Sequence, residues 1–78
     1  MDRNEIIEQI AELLEIEESE VDEKARLDSF ETWDSVAVLG AISMISDATG
    51  RYPHADEIVA LETIGDLIRE ITEERSDA

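Results

Sequence analysis

Between Asp34 and Asp47 the chain runs through twelve residues, SVAVLGAISMIS, without one charged side chain, and no other stretch of its 78 residues comes close. The rest of the molecule is strongly acidic, with 22 Asp and Glu against 6 Lys and Arg and a formal net charge of −16. Residues 1–31 hold 12 acids and 3 bases, residues 55–78 hold 8 and 2, and residues 32–54 hold only Asp34, Asp47 and Arg51. Such a body repels itself when compact, so its stability depends on screening salt. The uncharged centre therefore differs in character from its flanks. The same field argues against nucleic acid or an anionic membrane as a partner.

Residues 1–78 suffice for one small domain, with an ordered core expected over about residues 3–73. Cysteine is absent and there is one histidine, which removes disulfides, thiolate nucleophiles and an ordinary His-rich metal site. No apolar run reaches the roughly 18 residues that span a bilayer. The start MDRNEIIEQI lacks a basic region followed by an apolar stretch, so no secretion signal is read there and a cytoplasmic protein is expected.

The pattern predicts an all-α bundle of three main helices and one short one, with a long loop after the first. The first helix should run from Arg3 to Leu14 or Glu15, with Asp2 as cap, Glu5 completing a capping-box-like start, and a stripe of Ile6, Ile10 and Leu13 flanked by Ile7 and Leu14. Residues 16–33 show no clean period. They read as a connection with a helical turn near Glu20–Ala25, tied down by Val21, Leu27, Phe30 and Trp33. Asp34 is a good N-cap for the second helix and Gly50 a good terminator. On that helix Val38, Leu39, Ile42 and Ile45 are expected to face the core, and Ala37, Gly40, Ala41 and Met44 to face outward. Residues 55–60 suit a short helix offering Ile58 and Val59 to the core. Thr63 with Asp66 caps a last helix over 64–73, built on Ile64, Leu67, Ile68 and Ile71, beyond which the tail ERSDA should fray.

Few residues point to chemistry. The carboxylates fall mostly on wet helix faces and imply no acid–base pair in a pocket. His54 reads as a surface residue, and Tyr52 and Phe30 as pieces of the core. Glu17, Glu18, Glu20, Asp22 and Glu23 read as a solvated loop rather than an ordered calcium loop. Trp33, just before the cap, suits a hydrophobic staple. Ser35 has no base beside it in sequence, so a nucleophile triad is excluded. Its hydroxyl would stand at the positive end of a helix, where a phosphate ester is well placed, although an ordinary first-turn serine has the same spacing.

The stretch Trp33-Asp34-Ser35-Val36-Ala37-Val38-Leu39 resembles the attachment site of the acyl carrier and peptidyl carrier protein family. The likeness extends over nearly the whole chain: its length, its acidity, the long loop, the short third helix and the closing Thr63-Ile64-Gly65-Asp66-Leu67-Ile68. The resemblance implies a non-catalytic carrier. A phosphopantetheinyl transferase would esterify Ser35 with 4′-phosphopantetheine, with Asp34 capping the helix and orienting the reaction, and with a magnesium ion brought by the transferase rather than held by this chain. The arm would carry an acyl or aminoacyl group as a thioester, which supplies thiol chemistry to a protein without cysteine.

The expected partners are that transferase, a loading enzyme and a downstream transferase or synthase, met by a monomer. Fatty-acid carriers usually place Gly two or three residues ahead of the serine, where this chain has Thr32 and Trp33, and line the second helix with glutamates, which are missing here. That departure resembles carriers dedicated to one pathway more than the housekeeping carrier of fatty acid biosynthesis. Docking is then expected on Val36, Ala37, Gly40, Ala41 and Met44. The alternative is an unmodified acidic helical module that only binds other proteins.

Overall fold

The computed structural model describes residues 2–72 and is all-α. Helix α1 spans Arg3–Leu14, α2 Ser35–Thr49, α3 Ala55–Val59 and α4 Ile64–Thr72, with 3₁₀ turns at Glu18–Glu20 and Leu27–Ser29 in the long first loop. The fraying expected of ERSDA, and the last residue expected of α4, lie outside the described residues.

Each helix begins where a side chain can take its orphan N–H groups. Asp2 accepts from the Glu5 N–H at 2.8 Å, and Asp34 Oδ1 accepts from the N–H groups of Val36 and Ala37 at 3.1 and 3.0 Å. Helix α1 ends with Glu15 in the left-handed region at φ 57°, and the Ile16 N–H reaches back to the Ala11 carbonyl at 2.9 Å. Gly50, at φ 77°, ends α2 in the conformation that glycine adopts without a Cβ penalty.

The charge-free helix is the hub: α2 packs against α1, α3 and α4. Ile6, Ile10 and Leu14 of α1, Ile58 of α3, and Ile64, Leu67, Ile68 and Ile71 of α4 join its buried face in one cluster. The burial differs from the expected helical stripes. On α2, Ala37, Ala41 and Met44 are buried (Met44 is 7% exposed), together with Val38, Ile42 and Ile45. Leu39, assigned to the core, is 61% exposed, and Gly40 is half-buried rather than outward. With neighbours on several sides, α2 buries a broad arc, and the strip through Ser35, Val36, Leu39, Ser43 and Asp47 is exposed to solvent. Val59, also expected in the core, is exposed because α3 has five residues and turns only Ile58 inward, and Tyr52, in the connection before α3, is exposed as well.

The long loop is tied as expected through buried Leu27 and half-buried Val21, Phe30 and Trp33. The turn expected near Glu20–Ala25 is a single hydrogen-bonded turn, with the Ala25 N–H on the Asp22 carbonyl at 2.9 Å, lying between the two 3₁₀ turns. Residues 23–27 pass beside the entry to α4, where Arg26 bridges antiparallel to Thr63. Their backbone groups are committed there: Gly65 N–H to Glu23 O at 2.9 Å, Ile64 N–H to Ala25 O at 3.0 Å, and Leu27 N–H to Glu62 O at 2.9 Å. A helix over the same residues would need those groups for itself.

The entry to α4 is a reciprocal capping box. Thr63 Oγ1 accepts from the Asp66 N–H at 3.2 Å, while Asp66 Oδ2 accepts from the N–H groups of Thr63 and Glu62 at 3.2 and 3.1 Å. Arg69 also pairs with Asp66. Partial burial works against the Asp66 carboxylate, but those N–H groups and Arg69 outweigh it and hold its pKa below the usual carboxylate range. A folded pKa below the unfolded one means stability that is present above the unfolded carboxylate range and lost as pH falls through the folded value. Asp66→Asn is therefore expected to lower the melting temperature at about pH 7, and the gap to wild type should close as pH falls through the usual carboxylate range and below it. Thermal melts of both proteins across that range check this; a gap that does not change with pH would remove the ionised cap from the account.

Candidate functional site

The first turn of α2 is held out at the end of the bundle by its cap. Asp34 is exposed and extended, and its Oδ1 already holds the N–H groups of Val36 and Ala37. Ser35 follows as the first helical residue and is exposed. Upstream, the Thr32 hydroxyl donates to the Leu14 carbonyl at 2.7 Å, pinning the loop to the C-terminal end of α1. The position of Ser35 is thus fixed on both sides, by the Thr32 tie and by the Asp34 cap.

Beside Ser35 lies an apolar groove of about 420 Å³ between α2 and α3. Trp33, Val38 and Leu39 form one side, and Ala55 and Val59 the other. Asp34 and Ser35 are its polar members. Trp33 and Val38 stand at the two positions of a hydrophobic staple, as expected from the sequence. Val36, 74% exposed, and Leu39 and Val59 make an apolar rim on the same end of the molecule.

The residues expected to form a docking face are therefore not brought together on the surface. Val36 is exposed, whereas Ala37, Ala41 and Met44 are in the core. Gly40 stands against α1, where a Cβ would come within 2.5 Å of Leu13 Cδ1. The exposed apolar neighbours of Ser35 that sequence reasoning missed are Leu39 and Val59. A short third helix was legible, and five residues can turn few side chains inward; that was the available signal for Val59.

His54 is exposed and its N–H donates to Glu57 at 3.0 Å, a structural role at the start of α3. Glu17, Glu18, Glu20, Asp22 and Glu23 are exposed, and among the described residues no group of three or more His, Cys, Asp or Glu side chains is arranged to hold a metal ion. Also among the described residues, no helix is long and apolar enough to cross a membrane. No protein-family model, curated protein or solved structure matches the chain.

Proposed function

We propose that this protein is a carrier that receives a 4′-phosphopantetheine arm on Ser35 and presents acyl or aminoacyl thioesters to partner enzymes. The observation that carries the reading is an exposed serine at the first position of the hub helix, directly behind an aspartate cap and at the mouth of an apolar groove. The resemblance around Asp34-Ser35-Val36 supplies the chemistry. Coenzyme A is the donor: at the transferase's active site Ser35 Oγ loses its proton and forms the phosphoester bond to the phosphorus that bears the pantetheine, the pyrophosphate bond breaks, and adenosine 3′,5′-bisphosphate leaves.

The local geometry suits a mobile arm. A phosphate on Ser35 would meet the positive end of α2, which is favourable. Because Asp34 already occupies the N–H groups of Val36 and Ala37, those donors are not free to clamp the phosphate. The arm is then held by its covalent bond and free to swing, and tethering raises the local concentration of its cargo at a docked enzyme. The acidic body speeds encounter with basic partners. Val36, Leu39 and Val59, rather than the buried Ala37, Ala41 and Met44, are the side chains such a partner would touch around Ser35.

Co-expression with a broad-specificity phosphopantetheinyl transferase should add the mass of one phosphopantetheine group to the intact protein. Ser35→Ala should abolish the addition without unfolding the chain, since Ser35 is exposed. An unchanged mass beside a transferase that modifies a control carrier would sink the proposal. That result would favour the second reading, an unmodified acidic binding module using the apolar rim of Val36, Leu39 and Val59.

A further inference from the structure

Of the six basic residues of the chain, five fall within the described residues, and three of those gather at one place. Arg3 of α1, Lys24 of the long loop and Arg69 of α4 line an open cleft of about 930 Å³ between those elements. Only two of the 22 acids, Asp22 and Glu23, belong to the same lining. The cleft therefore carries three positive charges against two negative, in a chain whose net charge is −16. It shares no lining residue with the groove beside Ser35. We propose that this cleft is a second interaction surface, which takes an extended acidic segment of a partner protein and leaves Ser35 free. The proposal does not depend on the carrier reading.

The placement of charge selects that partner. Arg3 pairs with Glu23 and Arg69 with Asp66, each through one nitrogen. A guanidinium has several N–H donors, so each arginine can accept a second carboxylate without giving up the first. The ammonium of Lys24 has no hydrogen-bond or ion-pair partner among the described residues. The three cations stand on three different elements and only one of them is unpaired, so a compact anion finds no concentrated positive point. A chain bearing carboxylates at intervals can meet them one after another. Half-buried Ile7 and Val21, with Ile68, add apolar lining on which an intervening apolar side chain can rest. The acidic remainder of the body does not prevent this. At about 0.15 M salt, charges farther off than about 8 Å are largely screened, and the local balance decides.

The test titrates isotope-labelled protein, at about 0.15 M sodium chloride, with a capped synthetic peptide that alternates Glu with Ala around one central Leu. A control peptide carries Gln in place of Glu. The acidic peptide should shift the amide resonances of Ile7, Ser19, Lys24 and Gly65 and leave those of Leu39 and Val59 unmoved, and the control should bind about tenfold more weakly. Lys24→Glu turns one attractive exposed pair into a repulsive one and should weaken the acidic peptide about tenfold, whereas Lys24→Arg should keep wild-type affinity. Lys24 is exposed and its ammonium is unpaired, so both variants should melt close to wild type. Ser35→Ala should bind the peptide as wild type does, which separates this surface from the carrier chemistry. Equal shifts from the two peptides would overturn the proposal, and so would shifts centred on Leu39 and Val59, or none at roughly 1 mM acidic peptide. Sodium pyrophosphate moving the same amides at lower concentration than the peptide would overturn it in favour of a small-anion site.

Discussion

Met44→Ala is expected to destabilise the protein by about 2–3 kcal/mol, while Leu39→Ala changes stability by no more than about 0.5 kcal/mol. Both residues are large apolar side chains on the charge-free helix, and helical spacing alone put Leu39 in the core and Met44 outside it. The structure separates them: Met44 is 7% exposed and joins the core cluster, and Leu39 is 61% exposed at the rim beside Ser35. Deleting Met44 removes its burial and leaves a hole whose walls relax only in part. The loss should fall in the lower part of the usual range for buried truncations, because Met44 borders the cleft that Leu13 and Gly40 also line, through which water can reach the gap. For a domain of this size the loss corresponds to a fall in melting temperature on the order of 10 °C or more. Thermal and urea unfolding of the two variants, with matched salt because the chain is so acidic, provide the check. A larger loss for Leu39→Ala than for Met44→Ala would mean that α2 is rotated from the orientation described.

That pair also shows why the fold was legible and the exposed face was not. Helix starts are written locally: Asp2, Asp34 and the Thr63–Asp66 pair each cap a helix through hydrogen bonds spanning three residues or fewer, and a reader of the sequence needs no tertiary information to find them. Ser35 was placed for the same reason. Helix α4 was equally clear, because Ile64, Leu67, Ile68 and Ile71 alternate with charged neighbours that mark the wet side. Between Asp34 and Asp47, α2 has no such marks. At about 100° per residue, its apolar side chains surround the axis, and periodicity cannot choose among orientations. The choice is made by neighbours distant in sequence. Contacts with three helices bury the arc centred between the two stripes that were expected, drawing in Ala37, Ala41 and Met44 and leaving Val36 and Leu39 outside. The tie of residues 23–27 to the entry of α4 was unreadable for a related reason. Its hydrogen-bond partners are Glu62, Ile64 and Gly65, about forty residues away, and nothing within the loop announces them.

Gly65→Val should cost about 2–3 kcal/mol, more than its modest place in the sequence suggests, and the comparison with Gly40 explains why. A Cβ at Gly40 would meet Leu13 Cδ1 at 2.5 Å, whereas a Cβ at Gly65 would meet the Glu23 carbonyl oxygen at 3.0 Å and Glu23 Cβ at 3.3 Å. The closer contact is the cheaper one. Leu13 is half-buried and its methyl is the far end of a flexible side chain, so it can change rotamer, and the substituted helix gains about 1 kcal/mol in propensity when Gly40 becomes alanine. Gly40→Ala is therefore expected to stay within about 1 kcal/mol of wild type. At Gly65 the obstacle is backbone. The Glu23 carbonyl accepts the Gly65 N–H at 2.9 Å, and its segment is held by the Ile64–Ala25 and Leu27–Glu62 hydrogen bonds and by fully buried Leu27. It cannot retreat without breaking that ladder. Valine adds two methyl groups to the conflict, so the segment over residues 23–27 should part from the α4 entry before the rest of the fold yields. Equilibrium unfolding measures the total loss, and hydrogen exchange locates it. The amides of Leu27, Ile64 and Gly65 or its replacement should exchange faster in Gly65→Val under native conditions, while those in the middle of α2 remain protected. Unchanged protection at Leu27 and Ile64 together with wild-type stability would show that the close approach of Glu23 to Gly65 is not what holds the long loop against the bundle.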